Sequence, residues 1–207
     1  MTGRIITARH GRPDLCRRQR ISAAGYGTWW QMYEKSGLVT EEGPPASLVD
    51  LASQAETVLS SNITRAIETA AHVTKGQREV VQDPLFVEAP LPPPPVPWIK
   101  LRPGTWGVIS RFFWAFGYNV DGMESNDEAW QRVSKAADKL IDHAQKGDVL
   151  VCAHGYFNWM LDRHLRHKRG WERVGHSGEN DYWSHRIYQP PAKENSVVED
   201  LSAAPAE

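Results

Sequence analysis

Two short apolar runs in this chain each end on a His-Gly pair. Ile5-Ile6-Thr7-Ala8 leads into Arg9-His10-Gly11, and Val149-Leu150-Val151-Cys152-Ala153 leads into His154-Gly155. Packing alone does not call for a polar ring at both tips, whereas a ligand site does. In an open α/β sheet the crevice beyond the C-terminal strand ends is where ligands bind. Between the two runs lies Ser61-Asn62-Ile63-Thr64-Arg65-Ala66-Ile67-Glu68-Thr69-Ala70. It reads as a third strand end running into a helix, and it brings Arg65 to the same crevice. Arg9 and Arg65 with His10 and His154 make a site for a phosphoryl group.

The rest of the pattern alternates strand and helix. Residues 4–8 predict the first strand, and Ser22 can cap a helix over 23–37 that stops at Gly37. Pro44-Pro45 precede a helix over 46–54, residues 55–60 are the second strand, and 63–75 the next helix. A short strand follows over 79–82. The stretch from Pro90 to Pro97 is too rich in proline for a helix or a central strand and reads as a stiff polyproline segment leaving the sheet. Helices over 104–116 and 124–145 are expected to cap the crevice. The strand ending at His154 leads into a helix to Arg166, and a last strand near Trp183 to Tyr188 closes the sheet edge. The expected fold is α/β, a mostly parallel central sheet flanked by helices on both faces, with a helical cap insertion over the C-terminal strand tips. One domain spans 1–189, with the proline-rich segment and cap at 90–146. Residues 190–207, mostly Pro, Ala, Ser and Glu, are expected to be a disordered tail.

Composition narrows the class. At 207 residues, 41% hydrophobic and 24% charged, the chain fits one soluble enzyme domain. It has no apolar stretch long enough to span a membrane and no secretory signal at its N-terminus, so a cytoplasmic protein without membrane partners is expected. Cys16 and Cys152 cannot build a disulfide framework and lack metal-ligand spacing. A net charge of -1 argues against a nucleic-acid partner. Arg9, Arg12, Arg17, Arg18 and Arg20 nonetheless face only Asp14 within residues 9–20. Arg17, Arg18 and Arg20 read as a solvated loop, while Arg12 is close enough to His10 to reach a substrate's anionic end. His164, His167, His176 and His185 do not form a zinc pattern. Neither metal nor cofactor is expected.

Together, Arg9-His10-Gly11, the Ser61…Arg65-Ala66…Thr69-Ala70 segment and the apolar run ending in His154-Gly155 resemble the histidine phosphatase superfamily, with its phosphoglycerate-mutase-like fold. The resemblance extends to Ile21-Ser22-Ala23-Ala24-Gly25 and to Leu85-Phe86-Val87-Glu88, where many members place a catalytic acid. It implies that His10 is the nucleophile, that Arg9, Arg65 and His154 hold the phosphoryl group, and that Glu88 is the general acid. The chemistry of these residue types agrees. A neutral imidazole, with an ordinary pKa of about 6.5, can take a phosphoryl group once its other nitrogen donates to a carbonyl such as that of Gly11. Gly11, lacking a Cβ, lets phosphate approach the backbone. Glu79, Asp83 and Glu124 are the rival acids.

The chain departs from the mutase pattern, having Glu88-Ala89-Pro90-Leu91-Pro92 where mutases carry a Glu-Arg-x-Tyr-Gly-like stretch, and this argues against mutase activity. The cap is rich in aromatics: Trp98, Trp106, Phe112, Phe113, Trp114, Phe116 and Tyr118. Most should pack; one or two facing the pocket favour an apolar or aromatic leaving group or a protein phospho-site, and a homodimer contact is the other use of that face. The reading is a metal-independent phosphatase acting on a phosphorylated small molecule or phosphoprotein. Alternatives are a phosphohistidine phosphatase and a non-catalytic protein that binds a phosphorylated ligand.

Overall fold

The computed structural model describes residues 2–96 and 98–191. Four strands form the parallel part of the sheet: β1 (Ile5–Arg9), β2 (Thr57–Ser60), β3 (Val81–Gln82) and β4 (Val149–Ala153). Two more, β5 (Glu172–Ser177) and β6 (His185–Gln189), add antiparallel to β1's free side, giving the order β3-β2-β4-β1-β6-β5. Among the described residues six α-helices accompany them: α1 (Ala23–Lys35), α2 (Ala46–Gln54), α3 (Thr64–Val73), α4 (Pro103–Ala115), α5 (Asn126–Ala144) and α6 (Gly155–Lys168).

Successive residues of a strand face opposite sides of a sheet, so a strand covered on both faces reads as an unbroken apolar run. Such runs occur here. Val149, Val151 and Ala153 of β4 enter one core with α5 and α6, while Leu150 and Cys152 enter a second core with α2 and α3. Ile5 and Ile6 of β1, and Leu59 and Val58 of β2, divide in the same way.

A third cluster stands off the sheet. It joins Ala23, Tyr26, Trp29, Trp30 and Tyr33 of α1 to Trp106 of α4, whose indole N–H donates to the Ile21 carbonyl at 2.7 Å. The cap over the strand tips is therefore α4 with α1. The expected second cap helix, over 124–145, is instead a sheet helix. The face of α5 formed by Ala129, Val133, Ala136, Ala137, Leu140 and Ala144 is buried, and its small side chains let it approach the strands closely. Strand β5 has no counterpart in the sequence reading because Glu172–Ser177 is almost wholly exposed and shows no apolar alternation. The expected tail falls outside the described residues from position 192 onward.

Candidate active site

Parallel pairing sets the site. The register that places Arg9 beside Ala153 leaves His10 and His154 next to each other past the strand ends, with ring centroids 5.3 Å apart. His10 N–H donates to the Ala153 carbonyl at 3.0 Å and Ser61 N–H to that of Cys152 at 3.0 Å, so all three tips are tied together.

The hydrogen bonds assign both imidazole tautomers. His10 Nδ1 lies 2.7 Å from the Gly11 carbonyl, which can only accept, so Nδ1 carries the proton and Nε2 keeps its lone pair. Ser61 Oγ accepts from Ile63 N–H at 3.2 Å and lies 2.9 Å from His154 Nε2. The buried Ser61 hydroxyl has no other acceptor among the described residues, so its proton goes to Nε2, which places the His154 proton on Nδ1, itself buried with no partner. Burial above all, then the guanidinium charge of Arg65, holds both histidines well below their ordinary pKa of 6.5, with Arg9 contributing at each. Both are neutral at physiological pH.

Arg65, in the first turn of α3, is 1% exposed. Its Nη1 donates to the Tyr33 carbonyl at 2.8 Å, and its Cζ lies 4.3 Å from the centre of the Tyr33 ring, leaving Nε buried without a partner. Arg9 lies over the Tyr182 ring at 4.6 Å and donates to the Asn180 carbonyl; its Nε too is buried and unpartnered. Arg9 Nε, Arg65 Nε and His154 Nδ1 are thus buried donors in one site, each costing about 1–3 kcal/mol while unpaired.

Glu88 and Arg9 line one cavity, beside which His10, Arg65 and His154 lie buried outside its lining. Glu88 Oε1 accepts from Ala89 N–H at 3.0 Å and Phe157 N–H at 2.9 Å, while Oε2 accepts only from Tyr156 N–H at 3.1 Å. The carboxylate therefore also caps the start of α6, and Oε2 retains a free lone pair. The rival acids are elsewhere: Asp83 caps a 3-10 turn over Pro84–Phe86 and pairs with Lys139, Glu124 pairs with Arg132 at 2.6 Å, and Glu79 is exposed.

Two expected phosphate contacts do not hold. Arg12 is half exposed and pairs with Glu42 at 3.0 Å at the surface. Gly11 gives its N–H to Thr69 Oγ1 at 3.0 Å, and a Cβ there would come within 2.3 Å of the Trp183 ring. Its glycine serves the indole rather than the phosphate. Trp183 itself has φ of 63°, a conformation rare for so bulky a residue. In place of Arg12 comes Arg17, which lines the cavity, donates to the Tyr182 hydroxyl and lowers the His10 pKa. Nothing in the sequence separates Arg17 from its solvated neighbours. Nor did it single out Tyr33, Arg111, Tyr182 or Asn180.

The cavity has a volume of about 350 Å³ and runs from Arg9, Glu88 and Gly155 outward between α1 and α4. None of the seven cap aromatics, of which one or two were expected to face it, borders the cavity; Tyr26, Trp29, Trp30 and Tyr33 of α1 do.

Comparisons with known proteins agree with this architecture. No curated relative matches the sequence. A mycobacterial glucosyl-3-phosphoglycerate phosphatase is 21% identical, with a TM-score of 0.51 over 79% of each chain. A phosphoglycerate mutase from Bacillus anthracis is 20% identical, with a TM-score of 0.56 over 90% of this chain and 88% of the other. At such identities the likeness is one of fold. The pattern of the histidine phosphatase superfamily (branch 1) matches residues 48–185, a span that holds Arg65, Glu88 and His154 and starts after His10. That is more than half of the sequence, and the chain belongs to the histidine phosphatase superfamily.

Proposed function

We propose that this protein hydrolyses phosphomonoesters through a phosphohistidine on His10. The observation that carries the reading is the set of buried, unpartnered donors, Arg9 Nε, Arg65 Nε and His154 Nδ1, around an imidazole whose Nε2 is free. A phosphoryl group satisfies them, and planar guanidiniums match the charge spread over its oxygens in the transition state. Metal is not required, since the arginines supply the positive charge.

In the first step His10 Nε2 attacks phosphorus and the ester P–O bond breaks. Glu88 gives its proton from Oε2 to the departing alkoxide. In the second step the Glu88 carboxylate takes a proton from water, whose oxygen attacks phospho-His10. Inorganic phosphate leaves, and His10 and protonated Glu88 are restored. The Nδ1–H bond to the Gly11 carbonyl holds the ring in place through both steps.

Arg65 is the residue on which the test turns. Vanadate or tungstate should inhibit hydrolysis of p-nitrophenyl phosphate competitively and raise the melting temperature by binding the folded state. Arg65→Met should remove that stabilisation and lower kcat/KM by about 10²–10³-fold, the usual loss for one transition-state donor. An oxyanion that stabilises the variant as much as the parent contradicts the reading.

A further inference from the structure

Four arginines stand at the site, Arg9, Arg17 and Arg111 on the cavity and Arg65 beside it. Elsewhere Arg4, Arg12 and Arg132 each pair with a carboxylate, but among the described residues none of these four does. Neutral groups hold them instead. Arg65 is held by the ring and carbonyl of Tyr33, and Arg111 by the carbonyls of Ala89 and Pro90, each at 3.1 Å, with its Cζ 3.8 Å from the centre of the Tyr156 ring. Arg9 and Arg17 share one such group, Tyr182, whose ring lies on the Arg9 guanidinium and whose hydroxyl accepts from Arg17. A carboxylate would fix a guanidinium and cancel its charge. A ring or a carbonyl fixes it and leaves the charge for a ligand.

Tyr182 is anchored to the residues it covers. On its C-terminal side the Ser184 carbonyl accepts from Arg9 N–H at 2.8 Å, and Trp183 N–H donates to the His10 carbonyl at 3.4 Å. The Trp183 ring fills the space beside Gly11, and the Tyr182 ring centre lies 5.8 Å from that of His10. Gly155 completes the arrangement. Its φ is not positive, so the backbone does not call for glycine. Packing does, since a Cβ there would come within 3.1 Å of Arg9 Nε and 3.2 Å of Arg9 Cζ. With the Asn180 carbonyl taking a further N–H, Arg9 is fixed by neutral groups throughout, and Nε alone is left buried and unpartnered.

We infer that Tyr182 is a positioning residue of the phosphate site, its ring holding the Arg9 guanidinium against Gly155 so that Nε is presented to the phosphoryl group. This rests on the phosphatase reading of the same site. Tyr182 touches neither the phosphoryl group nor the leaving group in this account; it acts through Arg9.

The test is a double-mutant cycle read in calorimetric titration with tungstate. Tyr182→Leu removes the ring and should weaken binding about tenfold, the size of a partly desolvated cation–π contact. In an Arg9→Met background the same substitution should change binding by less than about twofold, the scatter expected of uncoupled sites. Tyr182→Phe keeps the ring and should retain most of the binding that Tyr182→Leu loses. A residue that only supported the loop would cost as much in either background. Equal losses in the two backgrounds, or a Tyr182→Phe variant as weak as Tyr182→Leu, therefore overturn the inference. If Tyr182→Leu does not fold, Tyr182→Met, whose side chain is adaptable, takes its place in the cycle.

Turnover of p-nitrophenyl phosphate is measured on the same proteins. Coupled losses of tungstate binding without turnover of any ester uphold the role of Tyr182 while the phosphatase reading fails. Turnover with uncoupled losses does the reverse, and a parent that binds no tungstate overturns the inference outright.

Discussion

The proposed phosphate end of this site and the wall formed by α1 and α4 are built in different ways. His10 and His154 are fixed by the sheet, where strand register sets their neighbours and a carbonyl or a hydroxyl meets a ring nitrogen, while Arg65, in α3, is held by the Tyr33 carbonyl of α1. The wall formed by α1 and α4 lies off the sheet and is held by a separate aromatic cluster around Trp106. Chemistry should therefore be lost at one end, and stability at the other.

The largest effect is expected at the phosphate end, from Glu88→Gln. General acid catalysis contributes about 10²–10⁴-fold, so hydrolysis of an alkyl phosphate should fall by that order. Hydrolysis of p-nitrophenyl phosphate, whose phenolate leaves with little help, should fall far less. Equal losses on the two substrates would make Glu88 a helix cap for α6 and no acid.

The wall should respond in stability. Trp106→Ala removes a fully buried indole and its bond to the Ile21 carbonyl, and a loss of about 3–5 kcal/mol is expected in urea unfolding. Below its own melting temperature the variant should keep the parent's kcat on p-nitrophenyl phosphate. A collapse of kcat in the folded variant would mean that cap and phosphate end are not separable.

The smallest effect is in pH. His10 and His154 have folded pKa values below 6.5, so below that pH the unfolded chain binds more protons than the folded one. Stability from these two residues should be complete above about pH 6.5 and decline as the pH falls towards the folded values. The slope is at most about 1.4 kcal/mol per pH unit for each. His154→Gln should show a shallower decline than the parent in urea melts from pH 7 to 5; an unchanged slope would deny that the buried imidazole is neutral.

The two ends also differ in how far the sequence revealed them. Strand-tip residues are legible because a buried parallel strand is an apolar run with a sharp end, and whatever follows that end must enter the crevice. The neighbouring positions of His10 and His154 past the strand ends were read in this way, and so was the Gly11 carbonyl as partner of His10. A helix is legible in extent but not in orientation. The bounds of α2 fall on 46–54 as read, yet the periodicity of α5 shows only that one face is buried, and not against what, until its alanine face is seen on the sheet. For the same reason the one or two aromatics expected to face the cavity were sought in the cap insertion, whereas α4 turns Gly104, Gly107, Val108 and Arg111 to the cavity and α1 supplies the rings. Arg12 and Arg17 were interchanged because a loop has no period from which to read direction. Tyr182 and Asn180 lie in the connection between β5 and β6, and with β5 unread nothing brought that loop to the site.

The central claim is that His10 Nε2 takes the phosphoryl group. Rapid acid-free denaturation of the enzyme during turnover of a ³²P-labelled ester should trap a phosphoprotein that is stable to base and labile to acid, with the label on the peptide containing His10. His10→Ala should lose both the label and the turnover. A label that survives acid, that maps to another residue, or a His10→Ala variant that still turns over would contradict it.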